Sequence, residues 1–235
     1  MHDDHLALDL ALTIRHDGHG GVADDLAEPA GLTVWAAAHA DALAESGFAP
    51  EGRYAADQAG LAAVRAVRTA VRALFARAVP GEPSAADAGR LPAPARALEV
   101  LNAASLRAPV VHRLAWPDGG EPAAVQTPAG AVPTADLLAG ALARAAFSFL
   151  AGPDRTRLRA CPAPRCVRYF VQSDARQEWC KPSCGNRARV ARHHARRRDA
   201  AAGAVPGPAS APESAPAPES VPGPASDPVP APTVD

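Results

Sequence analysis

The chain has 235 residues, 48% apolar and 4% aromatic, which is enough for one medium domain and a small module with a core chiefly of alanine, leucine and valine. The net charge of −1 conceals an uneven distribution: residues 1–154 carry 11 basic and 18 acidic side chains, residues 155–198 carry 13 and 2, and residues 199–235 carry none and 5. The basic segment predicts a polyanion-binding patch, whereas the acidic start and the short apolar run 137–150 exclude a secretory signal and a membrane span, so we expect a cytoplasmic protein.

The N-terminal part is predicted to begin with a strand and continue with helices. In residues 6–14 a leucine or isoleucine occupies every second position, the period of a strand with one buried face. Residues 32–43 and 55–78 have apolar side chains at three- and four-residue steps, which predicts helices. A further helix is expected to begin after Pro94, and Ser84 is its predicted cap.

A hairpin and a long helix are predicted to complete this domain. Residues 110–114 and 123–126 read as two strands around an Asp-Gly-Gly turn, and Thr134 is expected to cap a helix through Leu150. Residues 1–152 are therefore predicted to be an α+β domain, mainly helical with a small antiparallel sheet. We interpret this domain as a sensor of a small-molecule effector or as the dimerisation unit of a homodimer.

All the cysteines of the chain lie in two close pairs, Cys161 with Cys166 and Cys180 with Cys184, separated by thirteen residues. Two tight turns that each supply two thiolates are what a tetrahedral zinc site requires. Four sulfur ligands leave no open coordination position for hydrolysis, so we expect a structural Zn²⁺. An iron–sulfur cluster and a redox disulfide are the alternatives.

The segment after the last cysteine is rich in alanine and arginine and lacks proline, which predicts a helix. Its basic residues fall largely on one face, and Val190 is expected to pack inward. The residues predicted to contact nucleic acid are Asn186, Arg187, Arg189, Arg192 and Arg196. The alternative is a solvated basic helix that pairs with the acidic domain.

The two ends of this basic module are set by composition. We assign residues 153–198 to the zinc module with its helix, because the basic residues are concentrated there. Residues 199–235 contain ten prolines and no aromatic residue, so they cannot bury enough apolar surface to offset the entropy of ordering. We predict that this tail is disordered.

The second cysteine pair and its flanks resemble the CGNR zinc finger. Cys184-Gly185-Asn186-Arg187 is the string that gives that family its name, and Trp179 precedes it. The family joins the finger to an N-terminal ABATE domain, described as a stress-induced transcription regulator. Residues 6–150 resemble that domain: Leu8 to Thr13 match its Leu-Asp-Phe-Val-Asn-Thr opening, with Leu10 for the Phe and Leu12 for the Asn, and Leu32-x(2)-Trp35 matches its first helix. The resemblance implies zinc-dependent DNA binding in bacterial transcription control.

Other groups of polar residues predict no chemistry of their own. We expect His2-Asp3-Asp4-His5 to be a solvated terminus and residues 16–21 to be a polar turn. His39 and His112 are expected to be hydrogen-bonded and partly buried. Because no nucleophile elbow, zinc-protease helix or dinucleotide fingerprint occurs in the sequence, we do not expect an enzyme.

Three hypotheses for function follow. The first is a zinc-dependent, DNA-binding transcription regulator. The second is an RNA-binding module, in which Tyr169 and Phe170 stack on unpaired bases. The third treats the finger as a protein-docking unit, for which binding would change little with salt.

Overall fold

The computed structural model describes residues 5–17, 21–50, 52–84, 87 and 89–203. Its helices, named in chain order, are α1 Leu6–Leu12, α2 Pro29–Ala38, α3 Ala40–Glu45, α4 Gln58–Ala78, α5 Pro94–Arg107, α6 Thr134–Ala151 and α7 Pro182–Gly203. Its strands are β1 Ile14–His16, β2 Val22–Asp24, β3 Val110–Ala115, β4 Ala123–Pro128, β5 Leu158–Ala160 and β6 Tyr169–Val171. By its internal contacts the chain divides into two units, Met1–His194 and Ala195–Asp235.

Helices α4, α5 and α6 pack on one another and form the centre of the first unit. The stripe predicted for α4 is buried: Leu61, Val64, Val67, Val71 and Leu74. Asp57 caps this helix, because its carboxylate accepts a hydrogen bond from the backbone N–H of Gly60 at 2.7 Å. The helices predicted for residues 55–78 and 134–150 are therefore confirmed, each within a few residues at its ends.

The strand predicted for residues 6–14 is wrong over most of its length, because Leu6–Leu12 is helical. The buried residues of α1 are Leu6, Ala7, Leu10 and Ala11, which repeat at helical spacing. Alanine is small and apolar and has the highest helix propensity, so the alternation of leucine with alanine fits a helix as well as a strand. Packing against α4 and α6 decides between the two.

The helix predicted for residues 32–43 is interrupted at His39. The structure divides it into α2 and α3, and the backbone of His39 leaves the helical region at φ −119° and ψ 25°. The ring of His39 stacks on Trp35 at 4.4 Å, and its Nδ1 lies 2.8 Å from the Trp35 carbonyl oxygen. This histidine is hydrogen-bonded and half-buried as predicted, whereas His112 is exposed on β3, contrary to the prediction.

The strands form three separate two-stranded antiparallel ribbons within the described residues: β1 with β2, β3 with β4, and β5 with β6. The predicted hairpin is confirmed as β3–β4, in which His112 pairs with Gln126 across the ribbon. The mixed, mainly helical α+β class is also confirmed. No single sheet joins the three ribbons in the described part of the chain, and most residues of β3 and β4 are exposed.

Two predicted helix caps are wrong. Ser84 is buried beside Arg72, with 3.3 Å between its Oγ and Arg72 Nη2, and α5 begins only at Pro94. Thr134 is the first helical residue of α6, and Pro133 occupies the cap position without a side-chain hydrogen bond. Proline at the start of α5 is favourable because its missing N–H has no partner in a first helical turn.

The predictions for the chain ends are tested only in part. Helix α7 continues through Gly203, so the first residues of the predicted tail, 199–203, are helical. Residues 204–235 lie outside the described residues, as do residues 1–4 of the His-Asp-Asp-His terminus and residues 18–20 of the predicted polar turn. Beside that turn, the N–H of Gly21 donates to Asp17 Oδ1 at 2.9 Å.

Helix α6 is long and apolar enough, by length and composition, to cross a membrane, with a mean hydropathy of 1.3. It packs against α4, α5 and α1, and its inward residues from Leu138 to Ala143 are buried. A core helix of this fold has to be apolar on most of its surface. The place of α6 in the core therefore accounts for its apolar composition.

Candidate metal centre and basic helix

The first cysteine pair lies in the turn between β5 and β6. The N–H of Cys161 donates to the carbonyl of Arg168 at 3.0 Å, and the N–H of Cys166 donates to the carbonyl of Ala163 at 2.9 Å. Arg165 has a positive φ of 62°, which reverses the chain just before Cys166. Local backbone hydrogen bonds therefore hold both sulfurs on the same side of the ribbon end.

The second pair lies at the beginning of α7. Cys180 precedes the helix, and Cys184 is in its first turn, with its N–H donating to the Lys181 carbonyl at 3.0 Å. The basic helix thus begins before the last cysteine rather than after it. The N-terminus of a helix carries a partial positive charge, which favours the thiolate form of a nearby cysteine.

The four sulfurs form a compact cluster, all within 4.8 Å of one another. The Sγ–Sγ distance is 3.5 Å for Cys180 and Cys184, 3.8 Å for Cys166 and Cys180, and 3.9 Å for Cys166 and Cys184. A tetrahedron with Zn–S bonds of about 2.3 Å has edges of about 3.8 Å. The cysteines are free thiols and fit a four-sulfur zinc site, so the predicted ligand set comes together.

The electrostatics of the cluster favour a bound cation. Hydrogen bonds from Cys166 and Cys180 lower the pKa of Cys161, so this sulfur holds a negative charge readily. The same contact with Cys161 raises the pKa of Cys166, and contacts with Cys161 and Cys166 raise that of Cys180. Several thiolates this close together repel one another, and a divalent metal removes that cost.

Arg187 belongs to the surroundings of the metal centre. Its Nη2 lies 3.4 Å from Cys184 Sγ and donates to it, and the side chain is half-buried. A cationic donor to a ligating sulfur stabilises the thiolate. Of the residues predicted to contact nucleic acid, Arg187 is the one that the structure brings to the sulfurs.

Gly185, the glycine of the Cys-Gly-Asn-Arg string, lies against the side chain of Trp179. A Cβ atom on Gly185 would lie 3.0 Å from Trp179 Cδ1, so the indole packs directly on the first turn of α7. Trp179 also packs with Phe170, Ala163 and the cysteines in a small apolar cluster. Phe170 and Trp179 therefore pack against the cysteines, whereas Tyr169 belongs to the main core.

The outer face of α7 carries the remaining predicted contacts. Asn186 is exposed, and its Oδ1 accepts a hydrogen bond from Arg189 Nη2. Arg189, Arg192 and, within the second unit, Arg196 are exposed. The inward prediction for Val190 is wrong: it is 56% exposed, and Ala188 is buried in its place.

A buried polar network joins the metal module to the helical body, and the sequence analysis missed it. Arg72 on α4 pairs with Asp87 at 2.8 Å and donates to the carbonyls of Ala11 and Val167. Tyr169 of β6 donates to Asp87 at 2.5 Å, and burial raises its pKa. A signal was present: Arg68 and Arg72 fall on the apolar face of α4, where a charged residue requires a partner.

Two family models match the chain, one after the other. The family model ABATE, described as "Putative stress-induced transcription regulator", matches residues 4–153. The CGNR zinc finger model matches residues 157–197. Among proteins with curated descriptions, none matches this chain. The chain belongs to the ABATE family of regulators, and it carries a CGNR zinc finger with four cysteines placed to hold a structural zinc ion.

Proposed function

We propose that the protein is a cytoplasmic transcription regulator that binds duplex DNA through α7, with zinc holding that helix in place. The observation that carries the proposal is the exposed basic face of α7 directly after the metal centre. The helix contains six arginines and one acidic residue, Asp199. Arginine forks on a helix of this kind suit phosphates and guanine edges in a major groove.

The ion pairs of the described residues do not support the alternative in which the basic helix pairs with the acidic domain. Arg189 donates to Asn186, and neither Arg189 nor Arg192 forms an ion pair with a carboxylate in the part of the chain that the structure describes. Guanidinium groups that remain solvated are available to replace the counterions of a nucleic acid. The charge of the helix is thus free for a polyanion.

The RNA hypothesis depended on stacking by Tyr169 and Phe170. Tyr169 is 0% exposed and Phe170 is 7% exposed, so neither ring can stack on an unpaired base without unfolding of β6. Recognition of single-stranded RNA relies on such exposed aromatic platforms. We therefore favour duplex DNA as the ligand and propose no catalytic role for the zinc, whose ligands already fill its coordination sphere.

The test is the salt dependence of binding to duplex DNA by the zinc-loaded chain. The variant Arg189→Ala/Arg192→Ala/Arg196→Ala should bind weakly at every DNA sequence, and the slope of log K against log salt should fall by about 3 for three lost phosphate contacts. A matched control removes three exposed arginines of the N-terminal domain, Arg53, Arg96 and Arg113. Its slope should stay unchanged.

Two results would contradict the proposal. If the α7 variant retains the affinity and slope of the parent chain, the helix does not bind phosphates. If binding by the parent chain barely changes with salt, the finger is a protein-docking unit instead. Single-stranded DNA and structured RNA at the same salt concentration complete the comparison, and tighter binding to either would overturn the choice of duplex DNA.

A further inference from the structure

A second site lies in the N-terminal domain, in a cavity of about 370 Å³. Its wall is formed by the start of α1, the end of α3, β4, the outer part of α6 and the turn after α6. Polar atoms predominate in this wall, unlike that of the larger cavity between α2 and α3. No cysteine lines the cavity, and the proposed function does not use it.

Arg144 is the central group of this cavity. Its Nε donates to the Ser46 carbonyl at 3.0 Å and its Nη1 to the Ala108 carbonyl at 2.8 Å. Its Nη2 is buried and has no hydrogen-bond partner among the described residues. Both of its acceptors among the described residues are neutral carbonyls, and burial lowers the pKa of Arg144. A buried guanidinium without an anion is costly, and a carboxylate bound there would relieve that cost.

Gln126 on β4 presents a second unpartnered group to the same place. Its Oε1 is buried and has no hydrogen-bond partner in the described ranges. A Cβ atom on Gly47, which has a φ of +86°, would lie 3.0 Å from Arg144 Nη2 and 3.5 Å from Gln126 Cβ. The side chains of Arg144 and Gln126 therefore flank one glycine, and each carries a polar atom without a partner among the described residues.

Two carboxylates also line the cavity. Glu45 is exposed at the end of α3, and Asp154 follows α6. Asp154 lies 3.0 Å from His5 Nε2, a contact without hydrogen-bond geometry, and pairs with Arg157 at 2.8 Å. A ligand with two negative charges would be repelled by these groups, whereas a ligand with one positive end would be attracted.

We propose that this cavity binds a small amphoteric acid of the free α-amino acid class. The carboxylate of the ligand accepts from Arg144 Nη2, and its ammonium group donates to Gln126 Oε1 on the side of Glu45 and Asp154. An occupant would touch α6 and also Asp154, which lies four residues before the first strand of the metal module. The site is therefore placed to influence the segment that leads to Cys161.

The experiment measures the thermal midpoint of the zinc-loaded full chain with each common free α-amino acid in turn. Matched acids without the amine, and matched amines without the acid, serve as the comparison ligands. A subset of the amino acids should raise the midpoint, while the two comparison sets should not. If no amino acid raises it, or if an acid without the amine acts as strongly, the proposal is overturned and the cavity holds water or a simple anion.

Variants then locate the binding. Gln126→Leu removes the acceptor and should weaken affinity by about 10-fold or more, the equivalent of one lost hydrogen bond to a charged group. Ser148→Trp fills the cavity from an exposed position of α6 and should abolish binding. The control Ala37→Trp places the same side chain in the cavity between α2 and α3. Binding that survives Ser148→Trp, or that is lost in Ala37→Trp, would assign the ligand elsewhere.

Discussion

At the scale of residues, Arg72 and Asp87 connect parts of the chain that are far apart in sequence. Their side chains are 1% and 3% exposed, and they reach α1 through Ala11 and the metal module through Val167 and Tyr169. A buried pair contributes little net stability when it is intact, because both charges lose their hydration. Removal of one partner is strongly destabilising, because the other charge then stays buried without an opposite charge.

The variant Asp87→Ala should therefore lower the free energy of unfolding by about 3–5 kcal/mol. Arg72 would lose its charge partner, and the Tyr169 hydroxyl would lose its acceptor. Urea unfolding of the zinc-loaded chain measures the change. Glu99→Ala is the control, because the pair Arg96–Glu99 is exposed and contributes about 0–1 kcal/mol. Equal losses in the two variants would refute the role given to Asp87.

Arg187 contacts a sulfur of the metal centre in addition to its predicted contact with nucleic acid. The variant Arg187→Met should lower zinc affinity by about 10- to 100-fold, because Cys184 Sγ loses a cationic donor. Competition with a chromogenic chelator measures the affinity. The matched variant Arg192→Met alters an exposed arginine on the same helix and should leave zinc affinity unchanged. A loss confined to DNA affinity in Arg187→Met would show that this arginine serves the nucleic acid alone.

At the scale of elements, the contact between α5 and α6 depends on Gly140. A Cβ atom there would lie 2.6 Å from Ala108 Cβ and 3.2 Å from the Ala104 carbonyl oxygen, so α6 approaches the end of α5 closely. Neither neighbour is the end of a flexible side chain. The pair α5 and α6 therefore tolerates only glycine at this position, although glycine is unfavourable within a helix.

Gly140→Ala should destabilise the protein by about 1–3 kcal/mol, since the strain of overpacking exceeds the gain in helix propensity. Gly130→Ala is the matched control: nothing lies within 4 Å of its added Cβ, and its change should stay within about 0.5 kcal/mol. Chemical denaturation monitored by circular dichroism measures the change in the free energy of unfolding for both variants. A neutral or stabilising result for Gly140→Ala would show that α5 and α6 separate readily.

At the scale of the molecule, the ribbon of the metal module shares the hydrophobic core of the helical body within the first unit. Leu158 of β5 and Tyr169 of β6 belong to the main hydrophobic core together with residues of α1, α4 and α6. Cys161 and Cys166 lie in the turn that joins the two strands of this ribbon. Because the ribbon is shared, loss of the metal should be felt by the helical body as well as by the finger.

Removal of zinc by a strong chelator should therefore lower the stability of the whole first unit in one cooperative transition. The expected loss is about 4 kcal/mol when free zinc had been present at about 1,000 times its dissociation constant. Calorimetry with near-ultraviolet circular dichroism follows the unfolding of the helical body and of the metal module. The variant Cys180→Ser/Cys184→Ser should unfold at the same thermal midpoint as the chelator-treated parent chain. Two separate transitions, with the helical one unmoved by the chelator, would refute this coupling.

The sequence by itself determined the α+β class, the longer helices and the four cysteines that are placed to hold a zinc ion. Periodic apolar residues define the buried face of α4 without reference to the rest of the fold, and the two cysteine pairs are local turns whose spacing limits what they can bind. The Cys-Gly-Asn-Arg string also marks the start of a basic helix. Each of these features depends on residues that are near one another in the chain.

Only the tertiary structure decided the rest, because it depends on residues that are far apart in the chain. Leu6–Leu12 is helical since α4 and α6 offer a surface to Leu10 and Ala11. Arg72 meets Asp87 across fifteen positions and Val167 across ninety-five. Among the described residues, the hydrogen-bond acceptors of Arg144 are the neutral carbonyls of Ser46 and Ala108, which are 98 and 36 positions away in the chain. Long-range packing selects among local alternatives that the sequence leaves nearly equal in free energy.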